Sequence, residues 1–268
     1  PTTRDKYVEP SLVKNFITLL LLAFSSSFVA VFVKDRVDFV FSSSSDIKNS
    51  LKINSLVDIP FSKFLNTVYD QQTYFQEYLK SESLDYIPST LFKDSGEDFF
   101  YIRESFRYLA GSFKFLNNDK NIKLFTITSS IPSEGKSIIN ALLAKELADL
   151  NKKVLIIDSD MRKPKMHTIF GNNNVRGLSN LLVDDTLKYQ DLLKDVENIK
   201  NLKFISSGPS NNNTVRLLES NKTIELIKKL RESDFDYIIF DTPPVNQLSD
   251  ALTLSSNLDG LFLLVSIG

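Results

Sequence analysis

The chain has 268 residues, enough for one sizeable α/β domain and smaller segments beside it. Its 32 basic and 33 acidic side chains give a formal net charge of −1, which offers no general electrostatic case for nucleic-acid binding. The absence of cysteine is compatible with a cytoplasmic domain and excludes a cysteine-held metal cluster. The single histidine, His167, makes neither a metal site nor a catalytic triad by itself.

The first predicted element is an uncharged apolar run over residues 16–33. Its 18 residues fall at the short end of the range for a membrane-spanning helix. A signal peptide is one alternative, but the run is long, lacks a small-residue cleavage site and ends in the charges of Lys34 and Arg36. A buried core helix is the other, since polar Thr18 and the serines at 25–27 lower the hydropathy. We predict a transmembrane helix at 16–33.

Residues 34–98 form a predicted connector, in which we find no motif that suggests binding or catalysis. The serine run at 42–45 is typical of a linker. Residues 65–79 have apolar side chains at helical spacing.

The segment from Phe99 to Leu116 has the pattern of an amphipathic helix. Its apolar side chains recur at spacings of four and three and form one stripe, with Arg103, Glu104 and Arg107 opposite. The stripe consists of Ile102, Phe106, Leu109, Phe113 and Leu116.

Residues 130–137, SIPSEGKS, follow a predicted strand at 123–128 and open a predicted helix at 138–150. This strand–loop–helix context is that of a phosphate-binding loop, in which backbone N–H groups and the helix N-terminus attract anions. Lys136 would reach the outer phosphates and Ser137 would ligate Mg²⁺. The motif normally starts with glycine, where this chain has Ser130. The nucleotide contacts predicted are Ser133, Glu134, Gly135, Lys136, Ser137, Ile138 and Arg162.

Two further apolar runs end in carboxylates: VLIIDSDMRKP from Val154 and YIIFDTPP from Tyr237. Continuous Val, Ile and Leu residues are typical of parallel strands covered on both faces, and ligands bind beyond the carboxyl ends of such strands. We therefore expect Lys136, Asp158, Asp160 and Asp241 to converge on one crevice. Arg162 is either a second phosphate contact or a surface charge.

The chemistry of such a site follows from charge. Mg²⁺ takes oxygen ligands, so we assign Ser137, Asp160 and Asp241 to the metal. Asp158 and Asp160 are two residues apart, which on a regular strand places both on one face. One of the two would help to hold the metal while the other accepts a proton from an attacking hydroxyl. Together with Lys136 they are the predicted catalytic residues.

These three motifs, in this order, resemble the Walker A, A′ and B motifs of the bacterial tyrosine kinases of capsule and exopolysaccharide export. The resemblance runs from about residue 99 to the end and includes Gly177, Gly208 and the Ser249-Asp-Ala251 sequence. It implies a P-loop NTPase-like α/β fold with a mostly parallel sheet and helices on both faces. It also implies ATP and Mg²⁺ as cofactors and tyrosine as the acceptor.

The resemblance further implies an organisation for the chain. Residues 1–15 would end an extracytoplasmic region, 16–33 would span the bacterial inner membrane, 34–98 would connect, and 99–268 would form the cytoplasmic kinase domain, with a tyrosine-rich tail beyond Gly268. The partners implied are that tail, neighbouring subunits, the membrane and the polysaccharide export machinery. Subunit contacts in the family use a Glu-x-x-Arg-x-x-Arg helix; Glu104 and Arg107 match it, and Ala110 does not.

Related classes fit less well. Septum-site and plasmid-partition ATPases carry a second lysine near the start of the loop, where this chain has Ile131. Nitrogenase-type iron proteins require cluster cysteines. A nucleotide-binding scaffold without phosphoryl transfer stays open as the alternative, because Ser130 and Ala110 depart from the family pattern.

Overall fold

The computed structural model of the chain describes residues 12–37, 44–53, 55–60, 96–211, 213–246 and 249–267. They belong to two units, each considered by itself. The first holds helices α1 (Leu12–Val37) and α2 (Ser44–Leu51), and the second spans Ser55–Ser266 and holds the sheet. The predicted helical segment at 65–79 and residues 1–11 lie outside the described residues.

Helix α1 covers the predicted transmembrane segment. Among the described residues it is the helix whose length and apolar composition suit a membrane span, and its apolar stretch runs from Leu12 to Lys34. The side chains of that stretch are exposed, which is the opposite of a buried core helix. The hydroxyls of Thr18, Ser25 and Ser26 donate to backbone carbonyls within α1, so these polar groups have partners inside the helix.

Helix α2 corrects the predicted linker at 42–45. The helix begins at Ser44, and its first turn carries Asp46. A carboxylate in the first turn is favoured by the positive end of the helix dipole. The second half of the serine run therefore starts a helix.

The sheet contains β1 (Leu124–Ser129), β2 (Val154–Asp158), β3 (Lys194–Asp195), β4 (Leu202–Ile205), β5 (Tyr237–Asp241) and β6 (Gly260–Leu264). Their order is β3-β4-β2-β5-β1-β6, and every pair is parallel except β3 with β4. Every residue of β1, β2 and β5 is buried, as expected for strands covered on both faces. The three strands predicted from apolar runs are confirmed, β1 with a shift of one residue.

Helices cover both faces of this sheet. They are α3 (Gly96–Lys120), α4 (Lys136–Asp149), α5 (Met166–Ile169), α6 (Leu178–Leu181), α7 (Thr214–Leu218), α8 (Asn221–Arg231) and α9 (Asp250–Ser255), with a 3₁₀ turn at Tyr189–Leu192. Two apolar clusters alternate along the strands: Ile156 belongs to the cluster under α3 and α4, and its neighbours Leu155 and Ile157 belong to the cluster under α6 and α8. The predicted α/β fold is confirmed. His167, predicted in a loop, lies in α5.

The predicted stripe of α3 faces the core. Phe106 and Phe113 are buried, and the Phe113 ring stacks on Phe125 of β1 with ring centroids 4.4 Å apart. Burying an aromatic side chain of this size contributes roughly 1.5–3 kcal/mol. Leu56, Val57 and Ile59 pack against the same cluster. The compact unit accordingly begins at Ser55, within the predicted connector, rather than at the predicted boundary of residue 99.

Two glycines allow neighbouring loops to meet beyond β4. A side chain on Gly177 would place its Cβ 1.9 Å from the carbonyl oxygen of Ser206. Gly208 has a φ of 81°, in the left-handed region that favours glycine. The Asn174 side chain holds Gly208 by accepting from its N–H and donating to its carbonyl, both at 2.7 Å.

Candidate active site

The strand order brings the three motifs to one edge of the sheet. β5, which ends at Asp241, lies between β1 and β2. It is therefore adjacent both to the strand that leads into the P-loop and to the strand that ends at Asp158. Asp158 and Asp241 are partners in the register of β2 and β5. The Lys136 Nζ lies 3.8 Å from the Asp160 Oδ2. The structure thus brings together at this edge the four residues that we expected to converge: Lys136, Asp158, Asp160 and Asp241.

The P-loop turns sharply before α4. Ser133 and Gly135 adopt left-handed φ angles of 69° and 83°, and α4 begins at the next residue, Lys136. The first N–H groups of a helix have no partner within it, so those at the start of α4 are available to an anion. Ser130 does not adopt a positive φ. A side chain is therefore tolerated where the motif usually has glycine.

Glu134 braces the loop with its side chain. Its Oε2 accepts from the Ile131 N–H at 3.0 Å, and its Oε1 accepts from the Ser266 N–H at 2.9 Å. Both carboxylate oxygens are thus engaged by the protein backbone. The nucleotide contact of Glu134 stays a prediction, for which its backbone N–H rather than its side chain would be available.

Ser137 and Asp241 form the buried floor of the site. The Ser137 hydroxyl donates to the Asp241 Oδ2 at 2.8 Å, and the Asn140 amide donates to the Asp241 Oδ1 at 2.7 Å. Sequence reasoning missed Asn140. The feature that could have identified it is a polar amide among the buried residues of α4, one turn after Ser137 and on the same face of the helix. These two contacts orient the Asp241 carboxylate from both sides.

Asp160 presents one oxygen to Lys136. Its Oδ1 accepts from the N–H groups of Arg162 and Lys163, at 3.3 and 2.9 Å. Its Oδ2 is the oxygen that faces the Lys136 ammonium. Burial raises the pKa of Asp160, and the Asp241 carboxylate raises it further, while the backbone hydrogen bonds and Lys136 oppose the shift.

Asp158 is fully buried and enclosed by backbone N–H groups. Its Oδ1 accepts from Asp160, and its Oδ2 accepts from Lys165 and Met166 at 3.2 and 3.1 Å. Burial raises the pKa of Asp158 well above its ordinary value, and the Asp241 carboxylate adds to the shift. β2 ends at Asp158, so the expectation that Asp158 and Asp160 share a strand face is wrong: Asp160 lies in the following loop.

Arg162 is paired within the chain rather than a bare surface charge, and its predicted phosphate contact stays a prediction. Its Nε and Nη2 donate to the two carboxylate oxygens of Asp250, at 3.0 and 3.3 Å. The hydrogen-bonded carboxylate raises the pKa of Arg162. Asp250, at the start of α9, is a residue to which the sequence analysis assigned no role.

Glu104 and Arg107 are engaged with each other. The Arg107 Nη1 donates to the Glu104 Oε1 at 2.9 Å, and its Nε lies 3.8 Å from the buried Glu146 of α4. Ala110 is fully buried, so the third position of the family motif faces the core here. The Arg107 and Glu104 side chains are 46% and 44% exposed, and the subunit contact stays a prediction.

A phosphate-binding loop beside two carboxylate-bearing parallel strands defines a P-loop nucleotide-binding domain. Residues 132–258 match a family model described as an AAA domain. Tyrosine-protein kinase YwqD of Bacillus subtilis is 38% identical over 165 residues, which cover 62% of this chain and 68% of that protein. The chain belongs to the bacterial tyrosine kinases, as the resemblance predicted.

The chain is also similar to two further proteins. Tyrosine-protein kinase ptk of Acinetobacter johnsonii is 29% identical over 248 residues, which cover 92% of this chain and 32% of that protein. The crystal structure of the chimerical protein CapA2B2 has a TM-score of 0.64 and 31% identity, covering 83% of this chain and 85% of that one. The chain spans about two thirds of the Bacillus relative and a third of the Acinetobacter relative.

Proposed function

We propose that this chain carries the catalytic domain of an ATP-dependent protein-tyrosine autokinase that regulates polymerisation and export of a capsule or exopolysaccharide. The observation that supports it most directly is the meeting of Lys136, Ser137, Asp160 and Asp241 at one sheet edge, in a member of the bacterial tyrosine kinases. In that crevice, the Lys136 ammonium faces the Asp160 carboxylate at 3.8 Å.

The residues present fit Mg²⁺ and a nucleotide triphosphate. A hydroxyl and carboxylates are the hard oxygen ligands that Mg²⁺ prefers, and Ser137 and Asp241 already lie 2.8 Å apart. We assign Ser137 and Asp241 to the metal, with Asp160 as a further carboxylate of the same site. The phosphates would lie on the N–H groups of residues 133–138 and against the Lys136 ammonium.

Phosphoryl transfer depends mainly on positioning and electrostatic stabilisation. Bound Mg²⁺ would supply neutralisation of phosphate charge. Lys136 would stabilise charge on the transferred group, and the Asp160 Oδ2 would accept the proton of the tyrosine hydroxyl, whose free pKa is about 10. Asp158 is closed off by its three N–H donors, so we assign it to holding the loop that carries Asp160.

The setting we propose is the bacterial inner membrane. Helix α1 would span it, because its apolar stretch is long enough and its hydroxyls are hydrogen bonded within the helix. Because nucleotide is found in the cytoplasm, we place the part of the chain that follows α1 on the cytoplasmic side. The proposed partners are neighbouring subunits, through the face that carries Glu104 and Arg107, the protein's own tyrosine-rich tail and the polysaccharide export machinery.

The test is phosphotyrosine formation by the full-length protein in Mg·ATP, read by mass spectrometry. We expect phosphotyrosine in the wild type and its loss in Lys136→Ala and Asp160→Ala. Lys203→Ala is the matched control, because Lys203 is an exposed lysine paired with Asp195 on the remote β3–β4 edge. ATP binding by the wild type without phosphotyrosine would overturn the kinase proposal in favour of a nucleotide-binding scaffold.

A further inference from the structure

The Ser249-Asp250-Ala251 sequence has no part in the chemistry above, yet Asp250 is fully buried. It occupies the first turn of α9, after the loop that leaves β5 beyond Asp241. Ionised carboxylates are rarely buried unless they are paired, because removal from water is costly. The placement of Asp250 therefore depends on its partner.

That partner is Arg162, which comes from the loop after β2. The two side chains form a two-pronged ion pair with N–O distances of 3.0 and 3.3 Å. Such fork-to-carboxylate pairs fix orientation as well as distance. The Arg162 side chain is 31% exposed, so solvent reaches its outer side while Asp250 holds the inner side.

Arg162 is also part of the cradle of Asp160. Its backbone N–H and that of Lys163 donate to the Asp160 Oδ1, which leaves Oδ2 facing Lys136. Asp250 thus holds the side chain of Arg162, and the backbone N–H of Arg162 in turn holds the Asp160 carboxylate. The ion pair connects the start of α9, which follows β5, to the loop after the neighbouring strand β2.

We propose that Asp250 is a positioning residue for phosphoryl transfer. It holds Arg162, and through Arg162 the loop that directs the Asp160 carboxylate at Lys136. The inference rests on the proposed function for its kinetic consequence; its structural consequence can be measured without any nucleotide.

A different role for Asp250 would be to stabilise the start of α9, where a carboxylate is favoured by the helix dipole. Asp250→Asn separates the two roles. Asparagine has nearly the same shape and suits a helix start, but it cannot form the charged pair with Arg162. Arg162→Lys keeps the positive charge and loses the planar fork, so it tests the same contact from the other side.

The first experiment is amide hydrogen exchange on the full chain without nucleotide or metal. In Asp250→Asn we expect the amides of Arg162 and Lys163 to exchange about tenfold faster than in wild type. The amides of Lys123 and Leu124, which Asp259 holds at the other end of the sheet, should be unchanged. Unchanged exchange at Arg162 and Lys163 would overturn the proposal. If Asp250→Asn does not fold, Arg162→Lys gives the same comparison.

The second experiment is kinetic. We expect kcat for phosphotyrosine formation to fall roughly 10- to 100-fold in Asp250→Asn while KM for ATP changes less than about twofold, since the misplaced group is Asp160. The double variant with Arg162→Ala should be no slower than Arg162→Ala alone. A raised KM in Arg162→Ala with wild-type kcat in Asp250→Asn would instead make Arg162 a phosphate contact.

The two experiments separate this inference from the proposed function. A wild type that forms no phosphotyrosine would contradict the kinase, while faster exchange at Arg162 and Lys163 would still support the positioning contact. Phosphotyrosine formation with wild-type kcat in Asp250→Asn would support the kinase and overturn the inference.

Discussion

Charged side chains lie at both ends of the parallel strands, and the two ends differ in how those charges are matched. At the amino end, Asp259 accepts from the N–H groups of Lys123 and Leu124 and pairs with Arg231. Burial alone would raise the pKa of Asp259, but these hydrogen bonds hold it below its ordinary value. The charged form therefore stabilises the fold at this end.

At the carboxyl end, burial raises the pKa of both Asp158 and Asp160, and Asp241 raises them further. Lys136 is 3.8 Å from one oxygen of Asp160, a long separation for an ion pair. Crowded carboxylates with raised pKa values are typical of functional sites, where charge is arranged for a ligand. The difference is that the charged form of Asp259 stabilises the fold at the amino end, whereas the charged forms of Asp158 and Asp160 are disfavoured at the carboxyl end, where we propose the nucleotide site.

The largest effect that we expect is on activity at the carboxyl end. Asp241→Asn removes a charge from the proposed metal site, so phosphotyrosine formation should fall at least about 100-fold. Thermal unfolding of the ligand-free variant should be unchanged or shifted upward, because a like charge is removed from the buried cluster. A marked loss of thermal stability in Asp241→Asn would contradict the proposed difference between the two ends.

The opposite pattern is expected at the amino end. Asp259→Asn weakens charge-assisted hydrogen bonds to two backbone N–H groups and to Arg231, which should lower the free energy of unfolding by about 1–3 kcal/mol. Chemical denaturation measures the change. Phosphotyrosine formation per folded molecule should match wild type, and a large loss there would show that the two ends are not independent.

The pH dependence of stability should sharpen the comparison. The pKa values of Asp158 and Asp160 are raised in the folded state, so their protonation favours folding, and that contribution is lost as pH rises through the folded pKa values. On acidification the ligand-free Tm should therefore rise by roughly 2–4 °C, before groups with ordinary or lowered pKa values titrate. Asp259 has a lowered pKa, so its contribution is lost only at more acidic pH.

Asp160→Asn is the control for this titration. Its Tm should respond less to pH than that of wild type, because one of the two contributing carboxylates is gone. Glu146, whose pKa burial also raises, is present in both proteins and cancels in the comparison. An equal pH response in the two proteins would contradict the assignment to the carboxyl end.

The smallest effect is expected at an exposed pair away from both ends. Lys203 and Asp195 form an ion pair in which the side chains are 41% and 82% exposed. Solvent screens such pairs, so Lys203→Ala should change the free energy of unfolding by less than about 0.5 kcal/mol. Denaturant titration of this variant measures the change in the free energy of unfolding. A change above about 1 kcal/mol would contradict the expected screening of this pair.

Much of the fold was predictable because its signals are local. The apolar runs that became β1, β2 and β5, and the stripe of α3, follow from periodicity within a few residues of each position. The boundary at residue 99 was less predictable, since Leu56, Val57 and Ile59 join the core through contacts with a distant part of the chain. Similarly, a serine run is typical of a linker, but the run at 42–45 contains the start of α2.

By itself, the sequence determined which residues could bind a phosphate and a metal, because a Gly-Lys-Ser loop and strand-end carboxylates are local patterns with a fixed chemistry. Tertiary structure decided how these residues are placed relative to one another. It closed Asp158 behind backbone N–H groups, left Asp160 facing Lys136, and joined Arg162 to Asp250. The physical reason is separation along the chain: contacts between residues 88 to 104 positions apart depend on how the strands are ordered, which no local pattern contains.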